Sequence, residues 1–379
     1  MDNTKITQLA NFGQSAWLDY ISRSLIETKK LEELIGLGLR GLTSNPAIFE
    51  KAINSGSDYD QAIYNLCRSG KSAFEIYDCL TIQDIRDAAD IFMPVFKDTG
   101  GLDGYVSLEI NPKLAYDKGQ TIEEGKRLQR EVARPNLMLK VPATEEGFSA
   151  IEELTACGMN VNATLIFSLK QYVNTANAYI RGINRYLKSN SDANKIRSVA
   201  SCFVSRIDTV IDDRLDELAR DKPAGSDKDN LLKLKGKAAV SNCAFIYKNY
   251  SEIFSSAQFK NISLKGANPQ RVLWASTSTK NPAYRDIKYV IELIAKNTVN
   301  TLPQNTLEAF LGHGSVKEAL TSDVFCADNI ISALEKAGIG INDVCADLLR
   351  GGLAAFEKSF DALLSAIEAK KERLCVIAN

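Results

Sequence analysis

The sequence is short of the residues on which many catalytic centres are built. Histidine occurs once in 379 residues, at His313. A Ser-His-Asp triad or a histidine-rich zinc site is therefore nearly excluded unless His313 serves it. Its setting, Leu311-Gly312-His313-Gly314, reads as a glycine-flanked loop with a structural or solvated role. Cysteine is present at Cys67, Cys79, Cys157, Cys202, Cys243, Cys326, Cys345 and Cys375, but never as a CxxC pair. Thiols so scattered are expected to be free and packed as small hydrophobes. No stretch approaches the ~18 consecutive apolar residues of a membrane helix. The first residues, Met1-Asp2-Asn3-Thr4-Lys5, lack the basic and then apolar regions of a signal peptide. Net charge is also nearly absent, with 46 Lys+Arg against 47 Asp+Glu. That balance gives no global reason to bind nucleic acid or membrane, and no aromatic-basic motif supplies a local one. A cytoplasmic protein is expected, monomeric or homodimeric. Its chemistry must fall to Lys, Asp, Glu, Ser, Thr, Asn or Arg.

What the chain does contain is hydrophobic residue in quantity, 45% of the total, enough for a large core. Short apolar or β-branched runs alternate with amphipathic stretches. The runs predict strands at Ala16–Asp19, Leu39–Ser44, Tyr105–Ile110, Leu137–Ala143, Asn160–Phe167, Ser198–Ser205, Arg271–Ser276 and Thr298–Leu302. Helical patterns lie between them at Leu25–Gly36, Gln61–Cys67, Phe74–Phe96, Ile122–Val132, Gly147–Cys157, Leu169–Leu187 and Ile207–Arg220. Strand and helix in alternation imply a parallel sheet, and eight such units match an α/β protein of the (β/α)8 TIM-barrel class. That barrel usually takes about 250 residues. The surplus is assigned to a helical crossover after the second strand, a helical insertion at about 207–267, and C-terminal helices at about 328–375. In the tail, Leu353, Phe356, Phe360, Leu363 and Ile367 make one apolar face, expected to pack on the barrel. The whole chain, 1–379, is expected to be one elaborated barrel domain.

The segment Leu137-Met138-Leu139-Lys140-Val141-Pro142-Ala143-Thr144 carries a lysine inside an apolar strand. Desolvation there favours the neutral amine, a nucleophile of the kind that forms Schiff bases with ketones. A snorkelling lysine or a core ion pair is the alternative reading. The other strand ends, which ring the active site in this fold, are also polar. They bring Asp19, Thr43-Ser44-Asn45-Pro46, Glu109, Asn162 with Thr164, Ser201 with Arg206, and Ser276-Thr277-Ser278-Thr279-Lys280. Each alone is as readily a helix cap or turn former. Together they make a buried set of acids, amine, amides, hydroxyls and two cations. In such a set Lys140 would condense with a ketone to give an iminium, an electron sink. Asp19 suits the base that deprotonates a hydroxyl during carbon–carbon cleavage. Glu109 suits proton delivery to the carbinolamine, directly or through a water held by Thr164. Arg206 and Lys280 suit a substrate phosphate. No metal or cofactor is expected, since the iminium takes the place of a Lewis acid.

These segments resemble the transaldolases. The resemblance is carried by Trp17-Leu18-Asp19, Gly41-Leu42-Thr43-Ser44-Asn45-Pro46-Ala47-Ile48-Phe49, Val106-Ser107-Leu108-Glu109-Ile110-Asn111-Pro112, Met138-Leu139-Lys140-Val141-Pro142-Ala143-Thr144, Asn160-Val161-Asn162-Ala163-Thr164-Leu165-Ile166-Phe167-Ser168, Ser205-Arg206-Ile207-Asp208 and Leu273-Trp274-Ala275-Ser276-Thr277. It implies transfer of a dihydroxyacetone unit through a lysine Schiff base, from sedoheptulose 7-phosphate to glyceraldehyde 3-phosphate. The products would be erythrose 4-phosphate and fructose 6-phosphate, within the non-oxidative pentose phosphate pathway. By position it implies Lys140 as the Schiff-base lysine, Asp19 as acid/base, and Glu109 with Thr164 as a proton relay. Asn45, Asn162 and Ser201 would hold the carbon chain, and Arg206 the phosphate. Shorter transaldolases place a second arginine after strand seven; Lys280 is the candidate for that charge here. Cys202 follows Ser201 where proline is common, and the length looks like a longer bacterial subfamily. Two alternatives remain. A fructose 6-phosphate aldolase would carry a tyrosine at Glu109 and a much shorter chain. A non-catalytic sugar-phosphate-binding barrel would have no need of a buried amine nucleophile.

Overall fold

A computed structural model describes residues 4–321 and 324–376. Its centre is a closed parallel barrel in which every strand pairs with its sequence neighbours and the last returns to the first. The strands are β1 (Gln14–Asp19), β2 (Gly41–Thr43), β3 (Tyr105–Glu109), β4 (Leu137–Pro142), β5 (Val161–Ile166), β6 (Ser198–Phe203), β7 (Arg271–Ala275) and β8 (Thr298–Leu302). All strand residues are buried except Asp19, which is partly exposed at the end of β1. Burial on both faces explains why the strands read as nearly continuous apolar runs with no clean alternation. The polar residues within them are then confined to the barrel interior and its ends.

The helices that connect the strands start on side chains provided by the strand ends. Asn45 caps the helix Pro46–Asn54, its Oδ1 accepting from the Ile48 amide at 3.0 Å. Thr144 caps Glu145–Ala156 by accepting from the Gly147 amide at 2.9 Å. Ser168 and Gln171 form a capping box at the start of Leu169–Tyr186. Each cap satisfies orphan amides and fixes where the chain leaves the barrel mouth. The predicted helix at 25–36 is two helices, Arg23–Glu27 and Lys30–Gly36. They are divided at Lys29, which takes a left-handed φ of 61°. The second-strand crossover contains the long helix Ala73–Asp98. Between β6 and β7 lie Ser205–Arg220, Ser226–Leu232, Ala238–Ser255 and Ala257–Ser263.

The C-terminal part forms Phe325–Lys336 and the long helix Ile341–Val376. Its predicted apolar face is buried, with Leu353, Phe356, Phe360, Leu363 and Ile367 all withdrawn from solvent. Gly352 lets this helix approach β5 closely: a Cβ there would lie 3.1 Å from Leu165 Cδ2. Two turns on, the Phe360 ring meets the edge of Tyr77 at 5.2 Å between centroids. Further along, Lys370 pairs with Asp60 and donates to the Gly56 carbonyl. Cys375 is joined to Cys67, 308 residues away, which corrects the expectation that all the thiols are free. The apolar face carries the helix tip back to Asp60–Arg68, a proximity with no local sequence signal. No helix among the described residues is long and apolar enough to cross a membrane.

Candidate active site

Strand register assembles the site. Glu109 on β3 is the lateral partner of Lys140 on β4, and Lys140 is the partner of Asn162 on β5. Side chains at paired positions of neighbouring parallel strands point the same way, so acid, amine and amide stand in one row. A second row pairs Asp19 with Thr43, and Thr43 with Ser107. Thr164 is paired with Pro142, one step beyond Lys140.

Lys140 and Glu109 are each only 4% exposed. The Lys140 Nζ lies 3.3 Å from Glu109 Oε2 and donates to the Ser44 carbonyl at 3.0 Å. Of the readings of this lysine made from sequence, the core ion pair is present, and the same lysine lines a cavity. Among the described residues, neither carboxylate oxygen of Glu109 receives an aligned hydrogen bond, and none bonds to the Thr164 hydroxyl. Burial pushes the Glu109 carboxyl up to about 7, against the pull of the Lys140 charge. Asp19 is also raised above the ordinary aspartate value, by burial first. The Lys140 charge, the Thr43 hydrogen bond and the Lys280 charge oppose that rise. Thr43 Oγ1 donates to Asp19 Oδ1 at 2.8 Å and lies 2.7 Å from the Thr301 hydroxyl. Asn162 is held in place by donating to Ser107 Oγ at 3.1 Å and accepting from Ser201 Oγ at 2.6 Å.

A cavity of about 190 Å³ brings together Asp19, Asn45, Lys140, Thr164, Ser201, Arg206 and Lys280. Glu109 and Asn162 lie in the buried row beside Lys140. The Arg206 guanidinium sits 5.5 Å from the centre of the Phe203 ring, and burial lowers its pKa from the usual arginine value. Among the described residues neither Arg206 nor Lys280 forms an ion pair with a carboxylate. Two cations without a salt bridge among the described residues stand at one mouth, an arrangement that attracts an anion. Two strand ends are irregular at this mouth. Leu165 has a φ of 58° beside a register shift in β5, and Ser276 has a φ of 56° just after β7. Such conformations are costly for residues with a Cβ and cluster where a fold re-aims side chains toward a site.

The cavity is also lined by Thr43, Phe203, Ser276, Ser278, Thr301, Pro303 and Phe356, which sequence reasoning assigned no role. Thr43 and the serines lay within motifs already singled out. Phe356 had only its helical spacing, a signal of packing. His313 stands apart: it ends the helix Gln304–His313, not a loop, and its Nε2 lies 2.9 Å from Asp286 Oδ1 at the surface. Cys202 is buried, and its thiol is held well above the ordinary range by desolvation. It is therefore a poor candidate for a thiol switch.

Comparison with known proteins agrees with the geometry. Residues 16–367 match the family model described as transaldolase/fructose-6-phosphate aldolase. The chain is 44% identical to a transaldolase of Trichodesmium erythraeum over 377 residues, covering 99% of each chain. It is 43% identical to transaldolase 2 of a Nostoc species, covering 97% of this chain and 98% of the relative. It is 41% identical to a transaldolase of Saccharopolyspora erythraea, covering 98% and 99%.

Proposed function

The chain belongs to the transaldolase/fructose-6-phosphate aldolase family, on the side of the transaldolases, and from that premise we propose that it moves a dihydroxyacetone unit between sugar phosphates through a Schiff base on Lys140. The observation that carries this reading is the buried Lys140–Glu109 pair at 3.3 Å, opening on a cavity that also holds Asp19, Arg206 and Lys280. The donor is sedoheptulose 7-phosphate and the acceptor glyceraldehyde 3-phosphate, as in the non-oxidative pentose phosphate pathway of the cytoplasm. We read 1–379 as one barrel domain with its helical additions.

The geometry is compatible with the following steps. The reaction needs Lys140 as the free amine, and Glu109, 3.3 Å away and pushed up to about 7 by burial, is placed to take its proton. The amine adds to the ketone carbon. The acid form of Glu109 then protonates the carbinolamine oxygen, which leaves as water and yields the iminium. The unpartnered Glu109 and Thr164 oxygens leave polar groups to hold that water. Ionised Asp19, oriented by Thr43, removes the hydroxyl proton next to the breaking bond. The bond electrons enter the iminium, leaving an enamine on Lys140 and a free aldehyde. The acceptor aldehyde reverses these steps: the enamine carbon bonds to its carbonyl carbon and Asp19 returns the proton. Asn45, Asn162 and Ser201 orient the carbon chain, while Arg206 and Lys280 take the phosphate.

The test is borohydride trapping with fructose 6-phosphate, with and without erythrose 4-phosphate, followed by peptide mass spectrometry. A dihydroxyacetone adduct on Lys140 that the acceptor discharges is the expected result. A folded sample with no adduct at Lys140 would refute the reading.

A further inference from the structure

Of the fifteen residues lining the cavity, thirteen lie in barrel strands or the loops that follow them and Arg206 lies in the first turn of the helix Ser205–Arg220; the fifteenth is Phe356. It belongs to Ile341–Val376, a helix outside the barrel repeat. Apart from Phe203, Ala275 and Pro303, the rest of the cavity wall is hydroxyl, amide and charged groups, which hold water well. Phe356 supplies a second aromatic ring, only 6% exposed, and the one that comes from outside the barrel repeat. Its position is set from both sides. One turn before it, Gly352 lets the helix sit against Leu165 and Phe167. One turn after it, Phe360 is wedged against Tyr77 and Phe74. The far end of the same helix is tied down through Lys370–Asp60 and Cys67–Cys375.

Resting on the Schiff-base reading above, we propose that Phe356 is a specificity-determining residue that sets the partition between transfer and release. The enamine on Lys140 has two fates. In transfer, its carbon bonds to the acceptor aldehyde and Asp19 protonates the new alkoxide. In release, a proton from solvent reaches the enamine carbon and regenerates the iminium. One water molecule then adds to the iminium carbon, and collapse of the carbinolamine frees dihydroxyacetone and the Lys140 amine. Both routes end with one water hydrolysing an iminium, which frees the new ketose after transfer and dihydroxyacetone after release; only release needs a solvent proton at the enamine carbon. A fixed apolar ring in the cavity wall displaces the mobile water that would deliver this proton. It leaves the polar groups of Glu109 and Thr164 to hold the water exchanged during imine formation.

The experiment uses the full chain with fructose 6-phosphate as donor. Free dihydroxyacetone is measured without acceptor, and sedoheptulose 7-phosphate with erythrose 4-phosphate present. Phe356→Ala is expected to raise the ratio of release to transfer by about tenfold or more, with the borohydride-trapped Lys140 adduct retained. Phe356→Leu, which keeps an apolar cover, is expected to stay within about twofold of the parent. A release-to-transfer ratio unchanged in Phe356→Ala, or both rates falling in parallel, would overturn the proposal. A measurement on the unaltered protein stands beside the variants: deuterium uptake from heavy water at the enamine carbon should be slower than transfer. Uptake faster than transfer would mean that no seal exists. Absence of adduct and transfer in the unaltered protein would instead refute the Schiff-base reading. Transfer with an unaffected ratio would remove only the role of Phe356.

Discussion

The barrel contains a buried ion pair at each end, and the two are built differently. At the N-terminal end Arg271, the first residue of β7, pairs with Asp103 at 2.7 Å. Both terminal nitrogens of Arg271 and both carboxylate oxygens of Asp103 are hydrogen-bonded. Arg271 also donates to Ser15 Oγ and to the Leu102 carbonyl. Asp103 also accepts from Ser15 Oγ at 2.7 Å and from Trp17 Nε1 at 3.3 Å. At the C-terminal end Lys140 and Glu109 stand 3.3 Å apart, with both Glu109 oxygens lacking aligned donors. A saturated pair recovers much of its desolvation cost through hydrogen bonds and has no capacity left for a substrate. The incomplete pair keeps acceptor positions free and a carboxyl poised near neutrality. One end of the barrel is finished for stability, and the other is left open for chemistry.

The contrast can be broken most sharply at Lys140. Lys140→Met should abolish borohydride trapping and reduce turnover by about 10⁴-fold or more. Its circular dichroism should match the parent. Turnover within tenfold of the parent would end the catalytic assignment of the upper pair.

Arg271→Leu tests the lower pair. It leaves Asp103 buried without its cation and should cost about 3–5 kcal/mol in urea unfolding. Turnover per folded molecule should hardly change. A large loss of turnover at full stability would show that the lower network also serves the reaction.

Glu109→Gln should lower kcat by about 10²- to 10³-fold. It should also remove the decline in activity expected as pH rises through about 7, where the acid form is lost. Stability offers a second readout. The folded carboxyl titrates at about 7 against an ordinary 4.5, so the folded state binds more protons within that window. Stability contributed by this group is therefore present below pH 4.5 and lost as pH rises toward 7. Glu109→Gln should gain on the parent across that range, by an amount of order 1–3 kcal/mol. A gap that does not change with pH would contradict the shift.

The smallest expected effect is at Thr43. Its hydrogen bond lowers the Asp19 pKa, so Thr43→Val should move the acid limb of kcat/KM to higher pH. The kcat should drop about tenfold, the value of a hydrogen bond to a charged group. An unmoved acid limb would separate Asp19 from the rate-determining proton transfer.

Legibility from sequence followed the range of the interactions. β8 was predicted at Thr298–Leu302 and lies there, and most other strand boundaries differ by one or two residues. Helix starts at Asn45, Thr144 and Ser168 were marked by capping chemistry a few residues long. The residue set at the strand ends was legible because a polar group inside an apolar run is costly and therefore conspicuous. The split at Lys29 was not, because one residue with a left-handed φ leaves the hydrophobic period almost intact. The Cys67–Cys375 contact and the part of Phe356 in the cavity wall depend on a helix returning over the barrel mouth.

By itself, then, the sequence determined that a lysine and two acids would be carried on the strands of a parallel α/β barrel, with two cations just beyond the strand ends. Hydrophobic period, turn residues and desolvation are all local, and they act through neighbours along the chain. Only the tertiary structure decided which groups meet. Register around the closed sheet put Glu109 beside Lys140 and Asp19 beside Thr43. The same closure saturated one ion pair, left the other incomplete, and gave the C-terminal helix a mouth to cross. Those outcomes turn on distances of a few ångströms between residues far apart in the chain, and electrostatics and solvent exclusion change steeply over such distances.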